Sequence, residues 1–301
     1  MAADIRSLAA TIAAEINSRP DQAKAAIELL DEGATVPFIA RYRKEVTGGL
    51  DDTQLRTLSE RLVYLRELEA RRAAIIESIT GQGKMTDELM AKVATVATKS
   101  ELEDLYLPYK PKRRTRAEIA RERGLGPLAD TILADRSREP AALAEGFITA
   151  EVADVKTALE GARDIIAEGI AENAALLGKL RNYMKTNATL KAAVVDGKQE
   201  AGAKFSDYFE HQERWATAPG HRALAMLRGW NEEVLTLNIE VDTDAVSPNK
   251  PVERMVTTAY DIGASRPGDR WLTEVASWTW RVKLSMSLSL DLMRDLRERA
   301  E

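Results

Sequence analysis

The sequence predicts a mainly α-helical protein built from many short helices. Alanine, leucine, glutamate and arginine dominate the composition and favour helix, whereas the 301 residues include only 17 glycines and 10 prolines. Most segments place apolar residues three and four positions apart, as one buried face of a helix requires. The expected architecture is a multi-helix scaffold with a helix-turn-helix-like hairpin, a small β element near residues 234–241 and a long central helix at the C-terminus.

The overall composition indicates a soluble, cytoplasmic protein. The formal net charge is −5 and there is no cysteine, which excludes disulfides and thiolate metal sites and fits a reducing compartment. No apolar run reaches the length of a membrane span, and the N-terminal amphipathic helix carries acidic residues, unlike a secretory signal. We therefore expect no membrane partner.

Residues 1–100 are expected to form an N-terminal helical domain. Asp51 and Gln54 have the spacing of a capping box, which predicts the start of a long helix. The apolar stripe of that helix consists of Leu55, Leu58, Leu62, Leu65 and Leu68. The stripe loses its heptad register after about two heptads, so packing within the chain is favoured over a dimeric coiled coil.

Residues 101–136 are predicted to form a basic loop and a helix-turn-helix-like hairpin. Between residues 110 and 123, seven positive and two negative side chains give a net charge of +5, although the whole chain carries −5. A cationic segment on an acidic protein either meets a polyanion or pairs with the protein's own carboxylates. The candidate nucleic-acid-binding residues are therefore Lys110, Lys112, Arg113, Arg114, Arg116, Arg121 and Arg123.

The flanking residues predict how these cations are presented. Pro108 and Pro111 hold the link between two helices extended. Further capping boxes are predicted at Ser100 with Glu103 and at Thr115 with Glu118. The basic residues should begin on an exposed loop and continue into the first turns of a helix, where their charge opposes the helix dipole.

The segment after the basic residues resembles a helix-turn-helix, with a glycine turn at Gly124 and a second helix from Pro127. A DNA-reading protein would place this second helix in the major groove. The helix offers Asp130 and Asp135 and no base-reading arginine or asparagine before Arg136. A hairpin packed within the protein is therefore favoured over groove insertion.

Residues 137–268 are predicted to form a middle helical region with a short β element. A helical run over 152–184 is expected to break near Gly161 or Gly178. Strict alternation of apolar and polar residues over 235–241 predicts a strand, and residues 192–195 are the best local candidate for its partner. The aromatic residues at 205–209 are expected to form a helix contact.

Residues 269–301 are expected to begin a long central helix. The alternation over 281–292 fits a strand, but the strongly helical continuation favours helix. Read as a helix, the segment has two apolar stripes on opposite sides, which predicts burial between two layers. One stripe consists of Val282, Met286, Leu290 and Met293, and the other consists of Leu284, Leu288 and Leu292. The tryptophans at 271, 278 and 280 could stack bases, although core packing is favoured. The chain ends without a C-terminal cap, which suggests truncation within a longer protein.

No catalytic constellation, cofactor-binding motif or metal site is predicted. The sequence contains no phosphate-binding loop, no nucleophile elbow and no HExxH motif. His211 and His221 are the only histidines and have no third ligand at a usable spacing. We therefore expect a protein that is not an enzyme and needs no cofactor or metal.

Three long stretches resemble the bacterial Tex family of RNA-binding transcription accessory proteins. The first is LLDEGATVPFIARYRKEVTGGLDDTQLRTL at 29–58, and the second is LEDLYLPYKPKRRTRAEIARERGLGPLA at 102–129. The third is FSDYFEHQERWATAPGHRALAMLRGWNEEVL at 205–235, together with WTWRVKL at 278–284. These stretches are distributed over nearly the whole chain.

The resemblance implies a helical scaffold taken from a longer architecture. Tex-like proteins continue into a YqgF domain, helix-hairpin-helix elements and an OB-fold RNA-binding domain. The RNA affinity of the family is associated mainly with that OB-fold, so RNA binding by this part is expected to be weak. The resemblance also supports helix over strand for 281–293.

Two functions fit these observations. The first is a scaffold that acts with the transcription machinery and whose basic loop at 110–123 makes auxiliary contacts with RNA phosphates. The second is a protein-docking platform without nucleic-acid binding of its own, in which the basic residues pair with carboxylates of this chain or of a partner.

Overall fold

The computed structural model describes residues 5–111, 114–242 and 250–300. These residues divide into two compact units, and the boundary lies between Tyr109 and Lys110. The predicted mainly α-helical fold with one small sheet is confirmed.

The described residues of the first unit form six α-helices and one short 3-10 helix. Its helices are α1 (Ile5–Glu15), α2 (Pro20–Asp31), α3 (Val36–Tyr42), α4 (Asp52–Gly81), α5 (Asp87–Thr95) and α6 (Lys99–Tyr106). The long helix α4 packs against α1, α2 and α3, and its predicted leucine stripe is buried. Asp51 and Gln54 form the predicted capping box, because each side chain accepts a hydrogen bond from the other residue's backbone N–H.

The start of α6 differs from the prediction. The N-cap is Thr98, whose hydroxyl accepts a hydrogen bond from the backbone N–H of Glu101 at 3.2 Å. The Ser100–Glu103 capping box is therefore wrong, because Ser100 already lies inside the helix. Two possible caps two residues apart have the same sequence signature, and packing selects between them.

The second unit contains the remaining helices. They are α7 (Arg116–Glu122), α8 (Gly126–Ala134), α9 (Pro140–Ala144), α10 (Val155–Ala171), α11 (Ala174–Asn187), α12 (Gly220–Asn231), α13 (Pro251–Ala259), α14 (Pro267–Thr279) and α15 (Ser285–Ala300). Helix α10 is central to the part that carries the basic segment, because α7, α8, α9 and α14 all pack against it.

The break between α10 and α11 lies at 172–173 and not at either predicted glycine. Asn173 caps α11 by accepting a hydrogen bond from the backbone N–H of Leu176 at 3.0 Å. Gly161 lies inside α10 for a packing reason, since a Cβ atom there would lie 2.3 Å from Cδ1 of Leu125 and 3.2 Å from Cβ of Ala120. The missing side chain lets the α7–α8 hairpin approach α10 closely.

The small sheet contains three antiparallel strands in the order β2-β1-β3. These are β1 (Thr189–Val194), β2 (Glu210–Arg214) and β3 (Leu235–Glu240). The predicted strand β3 and its partner β1 are confirmed, and Ala192 pairs with Leu237. The aromatic residues at 205–209 pack into one cluster with Val234 and Leu235, as expected, but they lie on, or at the C-cap of, a 3-10 helix, Ala203–Tyr208, that leads into β2.

The C-terminal helix is confirmed as helix, but its burial differs from the prediction. Helix α14 continues through a π-helical segment, Trp280–Leu284, into α15. Leu284, Leu288, Leu292 and Leu296 are buried. Val282, Met286 and Leu290 are 56%, 72% and 57% exposed. The predicted burial of the stripe that contains these three residues is therefore wrong for the described residues.

Candidate nucleic-acid interface

The predicted cations lie at the start of the second unit, on the loop before α7 and on α7 itself. Lys110 follows a 3-10 turn, Leu107–Tyr109, and Arg114 precedes the N-cap of α7. Arg116 is the first residue of α7, Arg121 lies in its last turn and Arg123 is its C-cap. Lys112 and Arg113 fall outside the described residues.

Thr115 fixes the start of α7 and ties it to α10. Its hydroxyl accepts a hydrogen bond from the backbone N–H of Glu118 at 3.0 Å, which confirms the N-cap half of the predicted capping box. The same hydroxyl donates to the Glu168 carboxylate at 3.0 Å. The orientation of the basic helix is therefore set by a buried residue of α10.

Arg121 is held by an internal ion pair. Its Nη1 lies 2.6 Å from Oε2 of Glu168, whose side chain is only 8% exposed. Removing one partner of a buried ion pair is destabilising, because the pair compensates the desolvation of both charges. Arg121 therefore has a structural partner in addition to its predicted place among the nucleic-acid-binding residues.

Arg114 pairs on the surface instead. Its Nη2 lies 2.5 Å from Oε2 of Glu122, and the two side chains are 67% and 49% exposed. This hydrogen bond raises the pKa of the Arg114 guanidinium, so the charge stays in place. Exposed pairs of this kind contribute about 0–1 kcal/mol, and a phosphate can displace the carboxylate.

Three cations remain exposed and without a side-chain ion pair or hydrogen bond in the described part of the chain. They are Lys110, Arg116 and Arg123. Arg116 is the first residue of α7 and Arg123 is its C-cap, so the helix separates their backbones by about 10 Å along its axis. Among the predicted residues that the structure describes, Arg114 and Arg121 therefore already have a carboxylate partner, whereas the other three are available to bind a ligand.

The second helix of the hairpin is anchored at its C-terminal end. Arg136 donates hydrogen bonds to the backbone carbonyl oxygens of Tyr260, at 2.6 Å, and of Asp261. Its Nη1 also lies 3.6 Å from Oδ1 of the fully buried Asp269. Arg136 is therefore engaged inside the second unit, as a hairpin packed for structural reasons would require.

The two tryptophans of α14 do not lie in the core, where core packing was expected to place them. Trp271 and Trp278 are half-buried and line a cleft of about 910 Å³ between α10 and α14. The Arg163 guanidinium lies 4.3 Å from the Trp278 ring centroid, within range of a cation–π interaction. Cations and carboxylates both border the cleft, which therefore has no clear preference for an anion.

Two features missed by sequence reasoning shape this interface. Glu168 lies 47 residues from Arg121, and nothing local in the sequence marks it as the partner of that arginine. Gly161 was interpreted as a helix breaker, although its role is close contact with the hairpin. The spacing of seven between Trp271 and Trp278 could have indicated that both lie on the same face of α14.

In residues 5–111, 114–242 and 250–300, no group of three or more acidic or histidine side chains could hold a metal ion. His211 instead lies 3.2 Å from Glu213, on strand β2. In the same ranges, no helix combines the length and apolar character that crossing a lipid bilayer requires.

Comparison with known protein families identifies the fold. Residues 6–80 match the family described as Tex-like protein N-terminal domain, and residues 135–301 match Tex central region-like. The chain belongs to the Tex family. The predicted resemblance is confirmed over both regions.

Named relatives support the assignment to Tex. The chain is 52% identical over 308 residues to Protein tex of Bordetella pertussis, covering 99% of this chain and 39% of that protein. It is 48% identical over 289 residues to Transcriptional accessory protein Tex of Neisseria gonorrhoeae, covering 95% and 38%. A more distant similarity, 29% over 225 residues, links it to human S1 RNA-binding domain-containing protein 1, covering 71% and 22%. The chain thus spans about two-fifths of the length of these bacterial Tex relatives.

Proposed function

We propose that this chain is the helical scaffold of a transcription accessory factor and that it contacts RNA phosphates through the basic segment at 110–123. One observation carries the proposal: Lys110, Arg116 and Arg123 are exposed and have no side-chain partner among the described residues, on a chain of net charge −5. The names of the Neisseria and human relatives support a transcriptional and RNA-related role.

The proposed contact is auxiliary and independent of sequence. Lysine and arginine that neutralise phosphates fix the position of a nucleic acid without reading its bases. Each phosphate contact to a single strand contributes about −0.7 to the slope of log affinity against log salt. The proposed role is therefore binding rather than catalysis, and its affinity should fall steeply with salt.

A second function is supported by the exposed apolar stripe on the C-terminal helix. Val282, Met286 and Leu290 are each more than half exposed and follow one another at intervals of four residues. Contiguous apolar surface of this kind commonly marks a protein-binding face. A protein-docking platform is therefore the alternative, and it requires no contact with nucleic acid.

The test is a fluorescence-anisotropy titration of this chain with labelled single-stranded RNA and with duplex DNA at low salt. The cation variant replaces the three exposed cations by serine: Lys110→Ser/Arg116→Ser/Arg123→Ser. A control variant makes the same change in charge on exposed cations around the sheet and α12: Lys198→Ser/Arg214→Ser/Arg228→Ser.

The proposal expects RNA binding by the wild type and by the control variant, and at least tenfold weaker binding by the cation variant. Equal losses in the two variants would indicate a response to net charge alone. No binding by the wild type at low salt would leave the docking platform as the function of this chain. Loss of a protein partner after Met286→Ser with RNA binding unchanged would favour the alternative directly.

A further inference from the structure

Helix α3 in the first unit presents two aromatic side chains to solvent. Phe38 is 40% exposed and Tyr42 is 61% exposed. The two rings are four residues apart on the helix, with centroids 5.4 Å apart and planes tilted by 46°. Ile39 is the fully buried residue of this helix, so the aromatic rings are left on the outer side.

The same surface is cationic. Arg41, Arg43 and Lys44 are exposed, and none forms an ion pair among the described residues. The Arg43 guanidinium lies 5.4 Å from the Phe38 ring centroid, and Arg43 also donates a hydrogen bond to the Tyr42 carbonyl oxygen. Glu45 is the one acidic residue between 38 and 46, so this stretch carries a net charge of +2.

The chain after α3 is folded into a fixed turn. Thr47 is buried, and its hydroxyl lies within hydrogen-bond distance of the carbonyl oxygens of Arg43 and Lys44. The Gln22 side-chain amide donates to the carbonyl oxygen of Gly48 at 2.8 Å. Gly48 has φ +60° and lies against the Gln22 side chain, a conformation that favours glycine. The backbone that carries Arg43 and Lys44 is therefore fixed before any ligand binds, which lowers the entropy cost of binding.

Aromatic rings combined with unpaired cations match the chemistry of unstacked nucleotides. Proteins that bind single strands stack bases on aromatic side chains and contact the backbone with lysine and arginine. An acidic polypeptide would satisfy the cations but would leave the rings without planar partners. Charge and ring exposure together therefore favour a single-stranded nucleic acid over an acidic protein.

We propose that this surface, defined by Phe38, Arg41, Tyr42, Arg43 and Lys44 and named the α3 platform, binds unpaired nucleotides. A base stacks on the exposed ring of Tyr42 beside Phe38, and Arg41 and Lys44 contact the neighbouring phosphates. The α3 platform lies in the first unit, whereas the 110–123 segment belongs to the second. Base stacking distinguishes the α3 platform from the phosphate contacts proposed at 110–123.

The test compares a short oligouridine with an abasic oligomer of the same length, using the full chain. The platform variant is Phe38→Leu/Tyr42→Leu, which keeps apolar side chains at exposed positions and leaves the charges unchanged. The matched control is Trp230→Leu, which removes another aromatic side chain that is 40% exposed. Circular dichroism and thermal unfolding establish that each variant folds like the wild type.

The wild type should bind oligouridine at least about fivefold more tightly than the abasic oligomer, since one stacked base is worth roughly that factor or more. The preference should disappear in the platform variant and persist in the control and in the cation variant at 110, 116 and 123. Ultraviolet cross-linking of oligouridine should label the peptide that contains Tyr42. Failure of the cation variant to change affinity would refute the 110–123 contact and leave the α3 platform intact.

Equal affinity of the wild type for the two oligomers would overturn the proposal, as would an unchanged preference in the platform variant. Binding of polyglutamate that depends on Phe38 and Tyr42, with no base preference, would also overturn it and assign the surface to an acidic protein.

Discussion

Replacing Arg121 by alanine separates a structural cation from the exposed cations beside it. Arg121 is in the basic segment by sequence, but its guanidinium lies 2.6 Å from the Glu168 carboxylate on α10. The substitution leaves that carboxylate buried, with Thr115 still donating its hydroxyl hydrogen bond. We expect the second unit to lose stability.

The magnitude follows from the burial of the two partners. Breaking a fully buried ion pair costs about 3–5 kcal/mol, whereas an exposed pair contributes about 0–1 kcal/mol. Glu168 has a side chain that is 8% exposed, but that of Arg121 is 48% exposed, so solvent screens part of the interaction. The expected loss in the free energy of unfolding is about 1–3 kcal/mol. Arg123→Ala, at an exposed position without an ion pair in the described residues, should stay within about 0.5 kcal/mol of the wild type.

Urea unfolding followed by tryptophan fluorescence measures this difference. All five tryptophans, at 215, 230, 271, 278 and 280, lie in the second unit, so the signal reports on the part that contains Arg121. A double-mutant cycle with Glu168→Gln isolates the coupling between the two side chains. Equal unfolding midpoints for Arg121→Ala and Arg123→Ala would refute the assignment of Arg121 as a structural residue.

Three further predictions concern packing and ionisation in the second unit. Gly161→Ala should lower the free energy of unfolding by about 1–2 kcal/mol, because overpacking outweighs the gain in helix propensity. Gly178 has open space around it, so Gly178→Ala should raise the free energy of unfolding by about 0.5–1 kcal/mol. Urea unfolding of both variants checks these opposite signs. Leu288→Ala should lower the free energy of unfolding by about 2–5 kcal/mol and Leu290→Ala by less than about 0.5 kcal/mol, because only Leu288 is buried. Equal losses of stability in the two variants would contradict the assigned orientation of the helix. Burial, together with the hydrogen bond that its hydroxyl donates to a neighbouring aspartate, raises the pKa of Tyr183 from the usual 10.0 to about 12. Its stabilising contribution should therefore be complete below pH 10 and lost as the pH rises towards 12, and a spectrophotometric titration should lose one late-titrating tyrosine in Tyr183→Phe.

The sequence was most informative where burial imposes a regular pattern. The leucine stripe of α4 and the alternation in β3 were both interpreted correctly, because each has one buried side and one exposed side. Strand β2 was missed because Glu210, Gln212 and Arg214 are exposed, and its polar sequence has no apolar alternation to detect. An edge strand that is stabilised mainly by backbone hydrogen bonds leaves little trace in composition.

The sequence predicted which cations lie in the candidate site, but it did not predict which of them form ion pairs. A local count identified every cation between 110 and 123, but only the folded chain shows Glu168 beneath Arg121. The same limitation affects the C-terminal helix, where two apolar stripes predicted two covering layers and only one stripe is buried. Contacts between residues far apart in sequence depend on tertiary packing, which local periodicity does not encode.

The salt dependence of RNA binding tests the central claim most directly. The measurement is the slope of log affinity against log salt for single-stranded RNA, with the wild type and with Lys110→Ser/Arg116→Ser/Arg123→Ser. If all three cations contact phosphates, the slope should become shallower by about 2 in the variant, at roughly 0.7 for each contact. An unchanged slope, with both proteins equally folded, would contradict the account and remove the basic segment from the nucleic-acid interface.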